Sequence, residues 1–169
     1  MNQLLSISRL ILHGQTWTPF MANAVINALA GWLTFRNKPH VPVWGSQETV
    51  FADLLGTSFF LPMITSLVAS AILSRAVAAQ TIQPLSASEL PLCLRWFRKS
   101  VAIRSVLFGV VGLLMAALPL GLLCLAFGQD HLSVAVYVGV KVVYAVILGM
   151  IVTPLIVAVA QSISGVTME

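Results

Sequence analysis

Two charged side chains lie inside long apolar stretches of this sequence, where charge is the clearest pointer to function in a membrane protein. Lys141 is the only charged residue of YVGVKVVYAVILGMIVTP, residues 137–154, and Asp53 is the only acid in any apolar stretch. One interpretation is an anion or proton site, with Lys141 as the charge that attracts the ligand. The other is an ion pair, or a lysine that reaches toward the headgroups, because both arrangements lower the cost of a charge in lipid. We favour the structural interpretation.

Further polar residues recur at helical spacing around this pair. Tyr137, Lys141 and Tyr144 have the spacing i, i+4, i+7 and therefore share one helical face. Asn23 and Asn27 are also four residues apart, and since an amide in lipid needs a partner, they should face another helix. The candidates for a polar path or a set of interhelical contacts are Asn23, Asn27, Asp53, Tyr137, Lys141 and Tyr144.

The sequence carries no recognisable catalytic or metal-binding motif. HExxH, paired-cysteine, GxSxG, P-loop and dinucleotide patterns are all missing from it. His40 and His131 fall in connectors, where a nucleophile–base pair could only be assembled with Asp53 at one membrane face. We therefore expect no metal, no cofactor and no enzymatic activity.

Composition places the chain in the membrane. The 169 residues are 59% hydrophobic and 8% charged, with a mean hydropathy of +0.97, whereas a soluble domain is about 25% charged. The apolar residues form long blocks, which predicts an all-α integral membrane protein. The net charge of +4 comes from basic residues that flank these blocks. Such residues are typical of topology signals and headgroup contact, so we expect the lipid bilayer as a partner and no nucleic acid.

Four blocks approach or exceed the roughly 20 residues that cross a bilayer. They lie at about 17–35, 50–73, 101–127 and 133–160, and predict one four-helix bundle over residues 1–169. The side of the termini would carry Arg9, Arg75, Arg95, Arg98, Lys99 and Arg104, and the other side Arg36 and Lys38. The excess of basic residues on the side of the termini predicts cytoplasmic N and C termini. In composition the chain resembles small four-span proteins of bacterial inner membranes, so we expect it in such a membrane.

The connector before the third span has the pattern of a short basic amphipathic helix. Over about 89–99, the apolar residues fall on one helical face and the basic residues lean away from it. Such a helix could dock lipids or a partner, but we favour the interpretation as a topology anchor that runs into the third span. The predicted headgroup contacts are Arg95, Arg98, Lys99 and Arg104.

These features leave two functions open. A small transporter or channel component would use the polar residues as a path near the outer face. It would need a homo-oligomer, because one small bundle encloses little room. The alternative is a non-enzymatic accessory or scaffold subunit of a membrane complex, docked on other subunits. The two differ in where the polar residues point, which is into a wet cavity for the first and into sealed helix contacts for the second. The recurrence of polar residues on three spans favours the transporter.

Overall fold

The computed structural model describes residues 17–45, 48–83, 90–126, 128 and 130–164 of the chain, and most of them are helical. The elements follow in chain order. They are α1 (Trp17–Phe35), β1 (Val41–Pro42), α2 (Val50–Ala78), α3 (Leu92–Arg95), α4 (Val101–Ala126), β2 (His131–Leu132) and α5 (Val134–Ser164).

Three of the helices are long and apolar enough to cross a membrane. Helices α2, α4 and α5 have 29, 26 and 31 residues, so each is longer than the roughly 30 Å hydrocarbon core at 1.5 Å per residue. Helix α1 has 19 residues, and its apolar described part, Met21–Phe35, is shorter. The prediction of long apolar helices is thus confirmed for α2, α4 and α5.

Helix α2 is the centre of the packing. It lies against both α4 and α5, and α5 in turn packs against α1. Pro62 has no N–H, so the Ser58 carbonyl oxygen lacks its usual helical bond. Helix α4 comes close to this oxygen. A Cβ on Gly112 would lie only 2.4 Å from that oxygen. The lack of a side chain at Gly112 therefore allows α4 to rest directly on the backbone of α2.

A short antiparallel strand pair joins the two connectors at one end of the molecule, which we name the cap end. Val41 pairs with Leu132 and Pro42 with His131, and the Val43 N–H donates to the Asp130 carbonyl at 2.8 Å. The sequence predicted no strand in either connector. The pair forms because several apolar side chains of the cap end are buried together, namely Phe35, Val41, Val43, Val50, Leu54, Leu132 and Tyr137.

The predicted surface helix over 89–99 is shorter than expected. Within the described part of this connector only Leu92–Arg95 is helical, and residue 89 lies outside the described residues. The chain then forms tight turns, since the Phe97 N–H donates to the Leu94 carbonyl and the Lys99 N–H to the Phe97 carbonyl. Phe97 stacks on Phe108 of α4 with ring centroids 4.5 Å apart. This tertiary contact bends the chain into α4 and replaces the last helical turn.

Candidate functional site

Asp53, Tyr137 and Lys141 meet in one group, which we name the cap-end cluster. The Lys141 Nζ donates to Asp53 Oδ2 at 2.6 Å, and the Tyr137 hydroxyl donates to the same oxygen. Lys141 is 4% exposed and Tyr137 is fully buried, while the Asp53 side chain is 22% exposed. The cluster is therefore a nearly enclosed ion pair with one additional hydroxyl donor on the carboxylate.

Helix geometry explains why these residues meet. Helices α2 and α5 both begin at the cap end and pack side by side. Asp53 lies in the first turn of α2, whereas Lys141 lies about two turns into α5. Side chains of a helix lean toward its N-terminus, so the long lysine chain spans the difference in depth. The two charges neutralise each other, which is how a charge is best tolerated in an apolar environment.

Helix α1 closes the cluster from its other side. A Cβ on Gly31 would lie 3.1 Å from Lys141 Cδ and 3.3 Å from Tyr137 Cε1, so α1 touches both side chains. One turn later, Phe35 meets the Tyr137 ring edge-on with centroids 4.9 Å apart. The cluster is thus enclosed by α1, α2, α5 and the strand pair.

Tyr144 lies on the same face of α5 but has a different partner. Its hydroxyl is within hydrogen-bond distance of Ser58 Oγ. The Ser58 hydroxyl already donates to the Leu54 carbonyl at 2.7 Å, so Tyr144 is the donor in this contact. Tyr144 therefore forms a second α2–α5 contact and does not extend the cap-end cluster.

The two asparagines join α1 to α5. Asn23 Nδ2 donates to the Ala145 carbonyl of α5 at 2.9 Å. Asn27 Nδ2 donates to Asn23 Oδ1 at 2.7 Å and to the Asn23 carbonyl at 2.9 Å. With Gly31 one turn further on, the asparagines form a stripe that faces α5. Their chemistry here is interhelical hydrogen bonding.

An open groove of about 650 Å³ lies near the cluster, at the rim of the cap end. It is lined by Trp32, Arg36, Lys38, Pro39, Val134, Ala135 and Val138. Lys38 forms an ion pair with Glu48, and the Arg36 guanidinium lies 5.4 Å from the centre of the Trp32 ring. None of the six candidate polar residues lines this groove.

A second polar group, which we name the basic-end cluster, lies between α2 and α4 toward the opposite end. It consists of Ser66, Ser70, Arg104 and Ser105, all buried. Arg104 Nη2 donates to Ser70 Oγ at 2.5 Å, and Ser105 Oγ donates to Ser66 Oγ at 3.0 Å. Within the described ranges, Arg104 Nε and Nη1 are buried and have no hydrogen-bond partner.

Sequence reasoning missed this cluster as a unit. The available signal was the spacing of Ser58, Ser66 and Ser70, which are eight and four residues apart and so share one face of α2. The headgroup contact predicted for Arg104 needs correction, because the residue is only 1% exposed. Its position on α4 turns the side chain toward α2, where Ser70 accepts its hydrogen bond.

The other predicted headgroup residues surround this end of the molecule. Arg95 and Lys99 are exposed and Arg98 is half-buried. Arg95 Nε donates to the Leu90 carbonyl at 3.2 Å. Exposed Arg75 lies in the last turn of α2 at the same end. We name this the basic end, and contact of its surface residues with headgroups stays a prediction.

The described residues contain no group of three or more His, Cys, Asp or Glu side chains placed to hold a metal ion. Comparison with known proteins finds no matching family model and no significant similarity to a curated protein or a solved structure.

Proposed function

We propose that this chain is a non-enzymatic structural subunit of a larger membrane complex. The observation that carries the proposal is that all six candidate polar residues have partners inside the chain. Asp53, Tyr137 and Lys141 bind one another, Tyr144 contacts Ser58, and the asparagines bond to each other and to α5. These are sealed helix contacts, the arrangement that suits a scaffold.

The physical argument concerns what a polar group must do in each function. A transport path needs groups that exchange partners with a passing solute, so their donors and acceptors must be reachable. Lys141 is buried and shares its charge with Asp53. Such a hydrogen-bonded ion pair rigidifies the helices that carry it. In this chain it fixes α5 to α1 on one side and to α2 on the other.

We further propose four spans with cytoplasmic termini, in a bacterial inner membrane. At about 28 Å for 19 residues, α1 is close to the thickness of the hydrocarbon core. The basic end would face the cytoplasm, because it carries Arg75, Arg95, Arg98 and Lys99 while the cap end carries Arg36 and Lys38. The two polar clusters would then mark the two membrane interfaces, since Asp53 and Ser70 are separated by about 25 Å along α2.

The surface of the chain leaves room for partners. In the three long helices, fewer than a third of the residues in the most apolar stretch are buried within the chain. Gly109 and Gly112 of α4 are already used against α2, whereas Gly121 has open space around it. Docking of other subunits would therefore use the apolar faces that α2, α4 and α5 do not use on one another.

A transporter component is the second candidate, and the partial exposure of Asp53 favours it. Its side chain is 22% exposed although its ion-pair partner is buried. A solute arriving at the cap end would reach this carboxylate before any other member of the cluster. The transporter would require a homo-oligomer that encloses this approach.

Composition of the native particle separates the two candidates. The tagged chain is extracted gently from its own membrane, and its native mass and protein content are measured. We expect a fixed ratio to other membrane proteins. We also expect that ratio to survive Asp53→Asn with Lys141→Met, since removing both charges leaves neither buried unpaired. The matched control is Lys38→Gln with Glu48→Gln, which removes the exposed ion pair of the same end.

The result that would contradict the structural proposal concerns transport by a homo-oligomer. A homo-oligomer that carries solute or ions in vesicles would contradict the structural proposal. Loss of that flux in the Asp53→Asn, Lys141→Met double variant, with assembly intact and the control active, would assign the cap-end cluster to transport.

A further inference from the structure

Arg104 is a buried cation whose bonding is incomplete. It is 1% exposed, and of its three guanidinium nitrogens only Nη2 is bonded, to Ser70 Oγ. The other two find no acceptor in the part of the chain that the structure describes. Buried donors are nearly always satisfied, and an exception points to a missing water, ion or ligand. Because these unpaired N–H donors carry a positive charge, the ligand that would satisfy them best is an anion.

The chain does not supply that anion from its described residues. Their three acids, Glu48, Asp53 and Asp130, all belong to the cap end. Glu48 binds Lys38 and Asp53 binds Lys141. The basic end also carries Arg75, Arg95, Arg98 and Lys99. One more buried nitrogen there, Arg98 Nε, has no partner within the described ranges. This end therefore has a positive field that attracts anions.

We propose that Arg104 is the centre of a binding site for a phosphate group, held with help from the Ser70 hydroxyl. A guanidinium offers a planar fork of N–H donors that matches the oxygens of a phosphate. Arg104 lies in the first turn of α4, about 5 Å from its start along the axis, and in the four-span arrangement proposed above this end of α4 would lie near the headgroups. Basic pockets between spanning helices are typical binding places for anionic lipid headgroups.

The neighbouring segment fits a site at a membrane surface. Phe108, one turn after Arg104, packs with Leu94 and Phe97 of the connector. The same connector exposes Leu92 and Trp96, which are 74% and 80% accessible. Both side chains suit insertion among lipids, and tryptophan in particular favours the interface. The site thus lies next to a segment suited to a membrane surface, and the proposal does not depend on the structural-subunit role proposed above.

Reconstitution in nanodiscs of defined lipid tests the site. The full chain is placed in phosphatidylcholine alone or with phosphatidylglycerol, and its Tm is measured with and without inorganic phosphate. Retained phospholipid is counted after purification. We expect phosphatidylglycerol to raise Tm and about one lipid per chain to be retained. Arg104→Gln should lose both effects, and Arg75→Gln, which removes an exposed arginine at the same end, should keep them.

Each further outcome decides the proposal. Stabilisation by inorganic phosphate in phosphatidylcholine discs would support the site and make free phosphate its ligand. Equal lipid retention and equal Tm responses in wild type and Arg104→Gln would overturn it. If Arg104→Gln does not fold, Arg104→Lys is used, since it keeps the charge but loses the fork. Its phosphatidylglycerol response should then be weaker than that of wild type, and an unchanged response would contradict the proposal.

Discussion

The two polar clusters of this protein treat a buried cation in opposite ways. At the cap end, Lys141 meets Asp53 at 2.6 Å, and Tyr137 adds a further donor to the carboxylate. At the basic end, Arg104 meets only the neutral hydroxyl of Ser70. Both cations are less than 5% exposed. One cluster is electrically complete within the described chain, and the other is not.

This difference separates a structural role from a binding role. At the cap end the charge of Lys141 is neutralised inside the chain by Asp53, and this contact joins α2 and α5. An incomplete cluster still joins its helices, here α2 and α4, but leaves two guanidinium nitrogens of Arg104, Nε and Nη1, to be satisfied from outside the described residues. Burial of a charge alone is thus a weak sign of function, and the state of its partners is more informative.

The largest expected effect comes from removing one cation at a time. Lys141→Met leaves Asp53 without its partner, so we expect the free energy of unfolding to fall by about 3–5 kcal/mol. Arg104→Met removes a poorly satisfied charge and leaves only neutral hydroxyls behind. In detergent stripped of lipid it should be neutral, or stabilising by up to about 1–4 kcal/mol. Unfolding by SDS in mixed micelles measures both variants.

The control for the cap end is the double variant Asp53→Asn with Lys141→Met, which should recover much of the loss. Equal losses for Lys141→Met and Arg104→Met would remove the contrast between the two clusters. Such a result would mean that the charge of Arg104 is neutralised in the whole chain as well as that of Lys141 is.

Much of the architecture could be predicted from the sequence because it depends on composition and periodicity. The apolar blocks set the three long helices, although α2 continues five residues beyond the predicted end at 73. Ser74 and Arg75 interrupt the apolar stretch there, so hydropathy alone does not indicate the extension. The strand pair of the cap end was missed, since two residues per strand carry no periodic signal. Only the burial of Val41 and Leu132 in a shared core brings those connectors together.

The two clusters differed in how far the sequence could reveal them. Asp53 and Lys141 stood out because charge is rare in apolar stretches, and an ion pair was one of the arrangements that the sequence suggested. Arg104 lies near the end of a span, where an arginine usually reaches the headgroups. Whether its side chain points outward or toward α2 depends on the rotation of α4, which is set by the close contact of Gly112 with Ser58. No local pattern encodes that rotation.

The second prediction concerns a substitution at Gly112, whose contact with Ser58 sets the rotation of α4. In Gly112→Ala, the new methyl group would meet the Ser58 carbonyl oxygen at 2.4 Å, a backbone atom that cannot move aside easily. We expect a loss of about 1–3 kcal/mol from overpacking. Because α4 is displaced from α2, the basic-end cluster should suffer and the α2–α5 ion pair should persist. The control Gly121→Ala, which enters open space, should be neutral or slightly stabilising in SDS unfolding. Equal effects of the two alanines would refute the close approach.

The smallest expected effect is that of a substitution at Asn23. It tests whether α1 is held over the cap-end cluster by hydrogen bonds or by packing. Asn23→Leu removes the bond from Asn23 Nδ2 to the Ala145 carbonyl and the acceptor of Asn27. Such interhelical bonds contribute about 0.6 kcal/mol on average, so we expect a loss of that order in SDS unfolding. The control Thr34→Val removes a bond within α1 alone, from Thr34 Oγ1 to the Ala30 carbonyl, and should change the free energy of unfolding less.

A loss of several kcal/mol for Asn23→Leu would instead make the asparagine stripe a main support of the cap-end cluster. The ion pair would then depend on α1 as much as on the contact between α2 and α5.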